Sequence, residues 1–79
     1  MATSGRRTSR AFWLKRYERF RRSLVAAREE AGLSQREAAE RIGRSQSFIA
    51  KCETGERRVD VVELELLAQA YGKRPADFF

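Results

Sequence analysis

A chain of 79 residues, 42% hydrophobic and 35% charged, makes one domain whose core is only just large enough to fold unaided. No apolar run approaches the roughly 18 residues of a membrane span, and no apolar signal segment opens the sequence, so the expectation is a cytoplasmic protein with no membrane partner. One cysteine cannot form an internal disulfide, and the absence of histidine removes the usual ligands of structural zinc, so neither metal nor cofactor is expected. Catalysis is not expected either, because there is no histidine, no cysteine pair and no glycine-rich phosphate loop.

The net charge of +6 is concentrated at one end. Arg6, Arg7, Arg10, Lys15 and Arg16 stand in the first sixteen residues without an acid, leaving the rest nearly neutral. Residues 1–12 read as a basic, flexible N-terminal arm. Such an arm suits nucleic acid, because each phosphate it neutralises releases condensed counterions; a solvated leader has the same composition.

From Trp13 the apolar positions Trp13, Tyr17, Phe20, Leu24, Ala27 and Ala31 alternate steps of four and three, one stripe of a helix over 13–31. Gly32 ends it and Leu33 follows as a buried plug. Ser34-Gln35-Arg36-Glu37 is a capping box in which the serine hydroxyl and the glutamate satisfy orphan N–H groups reciprocally, opening a second helix over 35–42. Ala38, Ala39 and Ile42 form its inner face. Gly43 supplies a left-handed residue and Ser45 a cap for a third helix over 46–53, with Ile49 and Cys52 inward and Gly55 as the stop. Two helices in about twenty residues leave room only for a tight turn, the layout of a helix-turn-helix. Asp60 and Glu63 cap a fourth helix over 61–71, with Val61, Leu64, Leu67, Ala68 and Tyr71 expected in the core. Pro75 starts a final short helix over 75–79. Cys52, on the apolar side of its helix, reads as a small buried hydrophobe.

Taken together, Gly32-Leu33-Ser34-Gln35, Ala39, Ile42-Gly43, Ser45, Ile49, Lys51 and Glu53-Thr54-Gly55 resemble the lambda-repressor-like helix-turn-helix family, the Cro and XRE type. The resemblance runs from Phe20 to Phe79. It departs at Ala38, where a larger aliphatic is usual, at Cys52 for leucine or isoleucine, at Val59 for proline, and in the basic extension. What it implies is an all-α, compact five-helix domain that regulates transcription as a dimer, its third helix entering the DNA major groove. It also implies a buried pair between Arg28 and Glu53 that ties the reading helix to the scaffold.

Within that frame the outward residues of the third helix acquire roles. The Gln46 amide matches adenine N7 and N6, and Lys51 can donate to guanine O6 and N7. Ser45 and Ser47 suit a base edge or a phosphate, and Ala50 a thymine methyl. Phosphate contacts fall to Gln35 at a helix N-terminus, to Arg44, Arg57 and Arg58 flanking the reading face, and more weakly to Arg36. Phe48 reads as packing between helices.

One reading helix touches too few base pairs to find its site in a genome, whereas a homodimer on a palindromic double-stranded operator doubles the contacts. Val62, Leu66 and Ala70, with Phe78 and Phe79, are the expected dimer surface. The sequence thus reads as a sequence-specific repressor; the competing reading is an antitoxin with a toxin partner, using the helix-turn-helix for autoregulation.

Overall fold

The computed structural model describes residues 9–79. Four α-helices follow in order, α1 (Arg10–Glu30), α2 (Gln35–Ile42), α3 (Gln46–Thr54) and α4 (Val61–Ala70), and a single 3-10 turn, Pro75–Phe78, comes after them. Among the described residues there is no strand. The expectation of five helices is corrected: the last segment is too short for an α-helix and closes i to i+3 bonds, Asp77 N–H to the Arg74 carbonyl at 2.9 Å and Phe79 N–H to that of Ala76 at 3.3 Å.

Helix α1 begins at Arg10 rather than Trp13, because Ser9 Oγ accepts the Phe12 N–H at 3.1 Å and caps the earlier start. Arg10, counted with the arm, is therefore helical; Arg6 and Arg7 lie outside the described residues. At the other end Leu33 donates its N–H back to the Arg28 carbonyl at 3.1 Å, a closure that folds Leu33 under the helix into the core.

The helix-turn-helix forms as its caps dictate. Ser34 Oγ accepts the Glu37 N–H at 3.0 Å, while Glu37 Oε1 accepts the Ser34 N–H at 2.9 Å. The Ser34 N–H, donated to the carboxylate, holds the exposed Glu37 carboxyl below its ordinary range. Between α2 and α3 only Gly43, Arg44 and Ser45 intervene. Gly43 has φ +68°, a conformation in which a side chain is strained, and it lets the Arg44 N–H reach the Ala39 carbonyl at 2.9 Å. Asp60 and Glu63 form the second capping box, at the start of α4.

One core joins all of these elements. Phe20, Leu24 and Ala27 of α1 meet Ala38 and Ala39 of α2, Phe48, Ile49 and Cys52 of α3, and Leu67, Ala68 and Tyr71 at α4, with Phe78 closing the end. Small Ala38, fully buried, lets α2 lie close against α3. Burial pushes the Cys52 thiol up and the Tyr71 hydroxyl to about 12, so both stay protonated.

Three expected core positions are not in the core. Trp13 is 60% exposed and Val61 80% exposed, and Ala31 stands in solvent at the α1 terminus. The stripe on α1 is regular, but a helix of 21 residues is about 31 Å long at 1.5 Å per residue, longer than the bundle beside it. Its first turns overhang. Val61, at the first turn of α4, faces the space beneath that overhang.

Candidate nucleic-acid interface

Helix α3 presents two contrasting faces. Gln46, Ser47 and Lys51 are exposed and Ala50 is half-buried, while Phe48, Ile49 and Cys52 point into the core. Ser45 stands at the N-cap, its Oγ accepting the Phe48 N–H at 3.1 Å, so that lone pair serves the cap. The sequence-derived base-reading set is thus together on one short, solvent-facing surface, with Ser45 half committed to structure.

The C-terminal end of α3 is fixed from behind. Arg28 Nε donates to Glu53 Oε2 at 2.6 Å and Arg28 Nη2 to Oε1 at 3.1 Å, a bidentate pair with side chains only 12% and 7% exposed. The third guanidinium nitrogen donates to the Leu33 carbonyl at 2.8 Å. The bond to Glu53 raises the Arg28 pKa against the opposing effect of burial, so the cation persists at every relevant pH. Arg21, which the sequence analysis does not single out, donates Nη1 to the Glu53 carbonyl at 2.8 Å and satisfies the helix end. Its aliphatic stem and Nε lie 3.0 and 3.2 Å from where a Cβ on Gly55 would sit, and Gly55 itself has φ +86°. Arg21 lies two turns before Arg28 on one face of α1, so helical spacing carried the signal.

Gln35 belongs to this cluster. Its side-chain amide donates one hydrogen to Glu53 Oε1 at 3.0 Å. A second ionic knot engages Arg57, whose side chain is 40% exposed. Arg57 Nη1 and Nη2 donate to Glu63 Oε1 and Oε2 at 2.7 and 2.8 Å, and Glu63 is 5% exposed. Those bonds, ahead of the effect of burial, hold the Glu63 carboxyl below its ordinary range and raise the Arg57 guanidinium. Glu63 also receives the Asp60 N–H at 3.0 Å and lies 3.6 Å from Arg44. The guanidinium carbons of Arg44 and Arg57 both stand over the Phe48 ring, at 5.0 and 4.6 Å from its centroid. Sequence reading placed Glu63 in a capping box but missed its burial, because its partner Arg57 is six residues back across a loop. Arg36, Arg44 and Arg58 are exposed, Arg58 with its guanidinium 4.7 Å from the Tyr17 ring centroid.

The expected dimer surface is divided by the fold. Phe78 is 2% exposed, its ring 6.2 Å from that of Phe20, so it belongs to the core and is corrected as an interface residue. Phe79 is 71% exposed and stacks on Phe20 at 5.6 Å. Val62 and Leu66 are exposed, while Ala70 is half-buried and its carbonyl accepts from Arg41 at 3.4 Å.

Residues 19–77 match the helix-turn-helix domain family, which spans α2, the tight turn and α3. A solved structure, the XRE-family-like protein from Pseudomonas syringae pv. tomato str. DC3000, superposes with a TM-score of 0.81 at 38% identity, covering 86% of this chain and 83% of that one. The chain belongs to the XRE-type helix-turn-helix family. It is accordingly a DNA-binding transcriptional regulator and not an enzyme. No curated protein matches. Among the described residues no group of three histidine, cysteine, aspartate or glutamate side chains is placed to hold a metal, and no described helix is long and apolar enough to cross a membrane.

Proposed function

We propose that this XRE-type chain is a dimeric, Cro-like, sequence-specific repressor that reads the major groove of a palindromic operator with α3. The observation that carries the reading is the contrast on that helix. Its outer face offers Gln46, Ser47 and Lys51 without a side-chain partner among the described residues, while its inner end is clamped by Arg28 and Glu53. A rigidly held helix loses little backbone entropy on docking, so the cost that remains is the ordering of its exposed polar side chains. Gln46 pairs with adenine N7 and N6, Lys51 with guanine O6 and N7, and Ala50 meets a thymine methyl. Ser47, and Ser45 through its hydroxyl proton, contact a base edge or a phosphate at the entry of the helix.

Register comes from phosphates held by Arg36, Arg44 and Arg58, together with the free N–H groups opening α2. The basic residues of the N-terminal arm add salt-dependent affinity. Repression follows from occupancy: a bound dimer covers its site and blocks polymerase. Selection of bound duplexes from a random pool, with the mass of the complex measured, tests this directly. A palindrome with half-sites about one helical turn apart, bound by two copies, is the expected result. Recovery of no preferred sequence overturns it, and a second protein of similar size in the complex favours the antitoxin reading.

A further inference from the structure

Gln46 opens α3 and Lys51 lies in its last turn, so two readers placed to bond base edges need the helix held at both ends. The end near Lys51 is held by Arg28 and Glu53, two residues further along. At the other end Gln46 and Ser47 are exposed, and Phe48 is the first residue of α3 to enter the core. Two guanidinium groups stand over its ring, Arg44 from the turn before α3 and Arg57 from the loop after it, and both lie against the carboxylate of Glu63 in the first turn of α4. We propose that Glu63 is a positioning residue for Gln46: its buried carboxylate holds both cations against the Phe48 ring and so fixes the tilt of the first turn of α3. The inference deepens the base-reading role of α3 and rests on it.

Glu53 and Glu63 are the two buried acids among the described residues, and they serve opposite ends of α3. Helix capping does not account for the burial of Glu63. Glu37 holds the same place in the capping box of α2, yet it is exposed and its carboxylate accepts only from Ser34. What sets Glu63 apart is its arginines, Arg57 at 2.7 and 2.8 Å and Arg44 at 3.6 Å, and both of them face the Phe48 ring. A cation over an aromatic face is attracted to it, more strongly where water is excluded, so a neutral group at position 63 loosens the cations on the ring and the ring in its seat. Helix α3 packs mainly on α1 and α2, and this knot adds a tie to α4. Hydrogen bonds weaken steeply with misalignment, and a tilt at the first turn falls on Gln46 before it reaches Lys51.

Two substitutions in the full chain test this without removing a cation. Glu63→Gln keeps the side-chain size and an oxygen to accept the Asp60 N–H; Phe48→Leu removes the ring and leaves the carboxylate with Arg57. Base preference is read at fixed salt by competition with single-base variants of the selected duplex, with helical circular dichroism unchanged. Both variants should lower preference at the base pair assigned by Gln46→Ala about five- to tenfold, and change that assigned by Lys51→Ala by less than about twofold. Adding Gln46→Ala to Glu63→Gln should cost little more at that base pair. Affinity of Glu63→Gln for a scrambled duplex should hold or rise, because Arg44 and Arg57 are freed for phosphates, whereas lost stability alone would weaken every duplex together. In the free protein, amide hydrogen exchange at Phe48 should quicken about tenfold in Glu63→Gln relative to that at Glu53. Preference lost equally at both base pairs, or kept at both, overturns the inference. Unchanged exchange at Phe48 overturns the clamp whatever the DNA shows. Quickened exchange in a protein whose parent prefers no duplex keeps the clamp and sinks the base reading.

Discussion

The two ends of this small fold handle their surface chemistry in opposite ways. Around α3 the buried polar groups are saturated: among the described residues none is left without a hydrogen-bond partner, and Glu53 alone receives Arg28 and Gln35 at its carboxylate and Arg21 at its carbonyl. At the start of α1 the apolar groups are unsaturated, with Phe12, Trp13 and Leu14 each at least half in solvent. The difference separates the part of the fold held rigid by ionic bonds from the part whose apolar groups stay uncovered. The helix that carries Gln46 and Lys51 is locked by charged bonds from behind, whereas the start of α1 keeps its aromatic rings outside the core.

Substitutions at the two ends should separate these roles. Removing one member of the buried pair has the largest expected effect: Glu53→Ala strands Arg28 and should cost about 3–5 kcal/mol in urea denaturation, enough to unfold most of a domain this size. Gln46→Ala should leave stability alone and relax base preference at one position per half-site by roughly 1–3 kcal/mol, measured by competition with single-base variants of the selected duplex. At the turn between them, Gly43→Ala forces a side chain into the left-handed region and should cost about 1–2 kcal/mol in the same denaturation assay.

Acid provides a test of the second ionic knot. Since Arg57 holds the Glu63 carboxyl below its ordinary range, the stability Glu63 contributes is complete above the unfolded carboxylate pKa and is lost as pH falls through the lowered folded value. Melting temperature should therefore drop below about pH 4, and Arg57→Met should lower it at neutral pH while shrinking that acid loss. The same variant should leave the salt dependence of DNA binding nearly unchanged, in contrast to Arg36→Ala. Smallest of all, Trp13→Ala should alter monomer stability by no more than about 0.5 kcal/mol, because its ring contributes little to the core.

Much of this architecture was legible in the chain because local signals agreed with one another. The capping box at Ser34 and Glu37, the left-handed Gly43 and the inward Ile49 and Cys52 each depend on neighbours within a turn or two. Family resemblance supplied what spacing could not, the pairing of Arg28 with Glu53 across 25 positions. Where reading failed, the missing information was tertiary. A perfect apolar stripe placed Trp13 inward, yet burial needs an opposing element and the overhang has none. Gln35 and Arg57 looked like free donors for phosphate, and only the fold brings Glu53 and Glu63 within reach of them. Phe78 and Phe79 were read as one surface, although the 3-10 turn sends Phe78 into the core and leaves Phe79 outside. Ser9, by contrast, was an overlooked local signal: a serine directly before a helical run is a cap, and it moved the start of α1 back to Arg10.

We propose that a clamped α3 reads base edges through Gln46 and Lys51. Fluorescence anisotropy titration of the selected duplex and a scrambled one, at fixed salt, measures it most directly. Wild-type protein should prefer the selected duplex by at least about a thousandfold, and Gln46→Ala should erase part of that preference at the position it reads while remaining folded. Equal affinity of the wild-type protein for both duplexes would contradict the account.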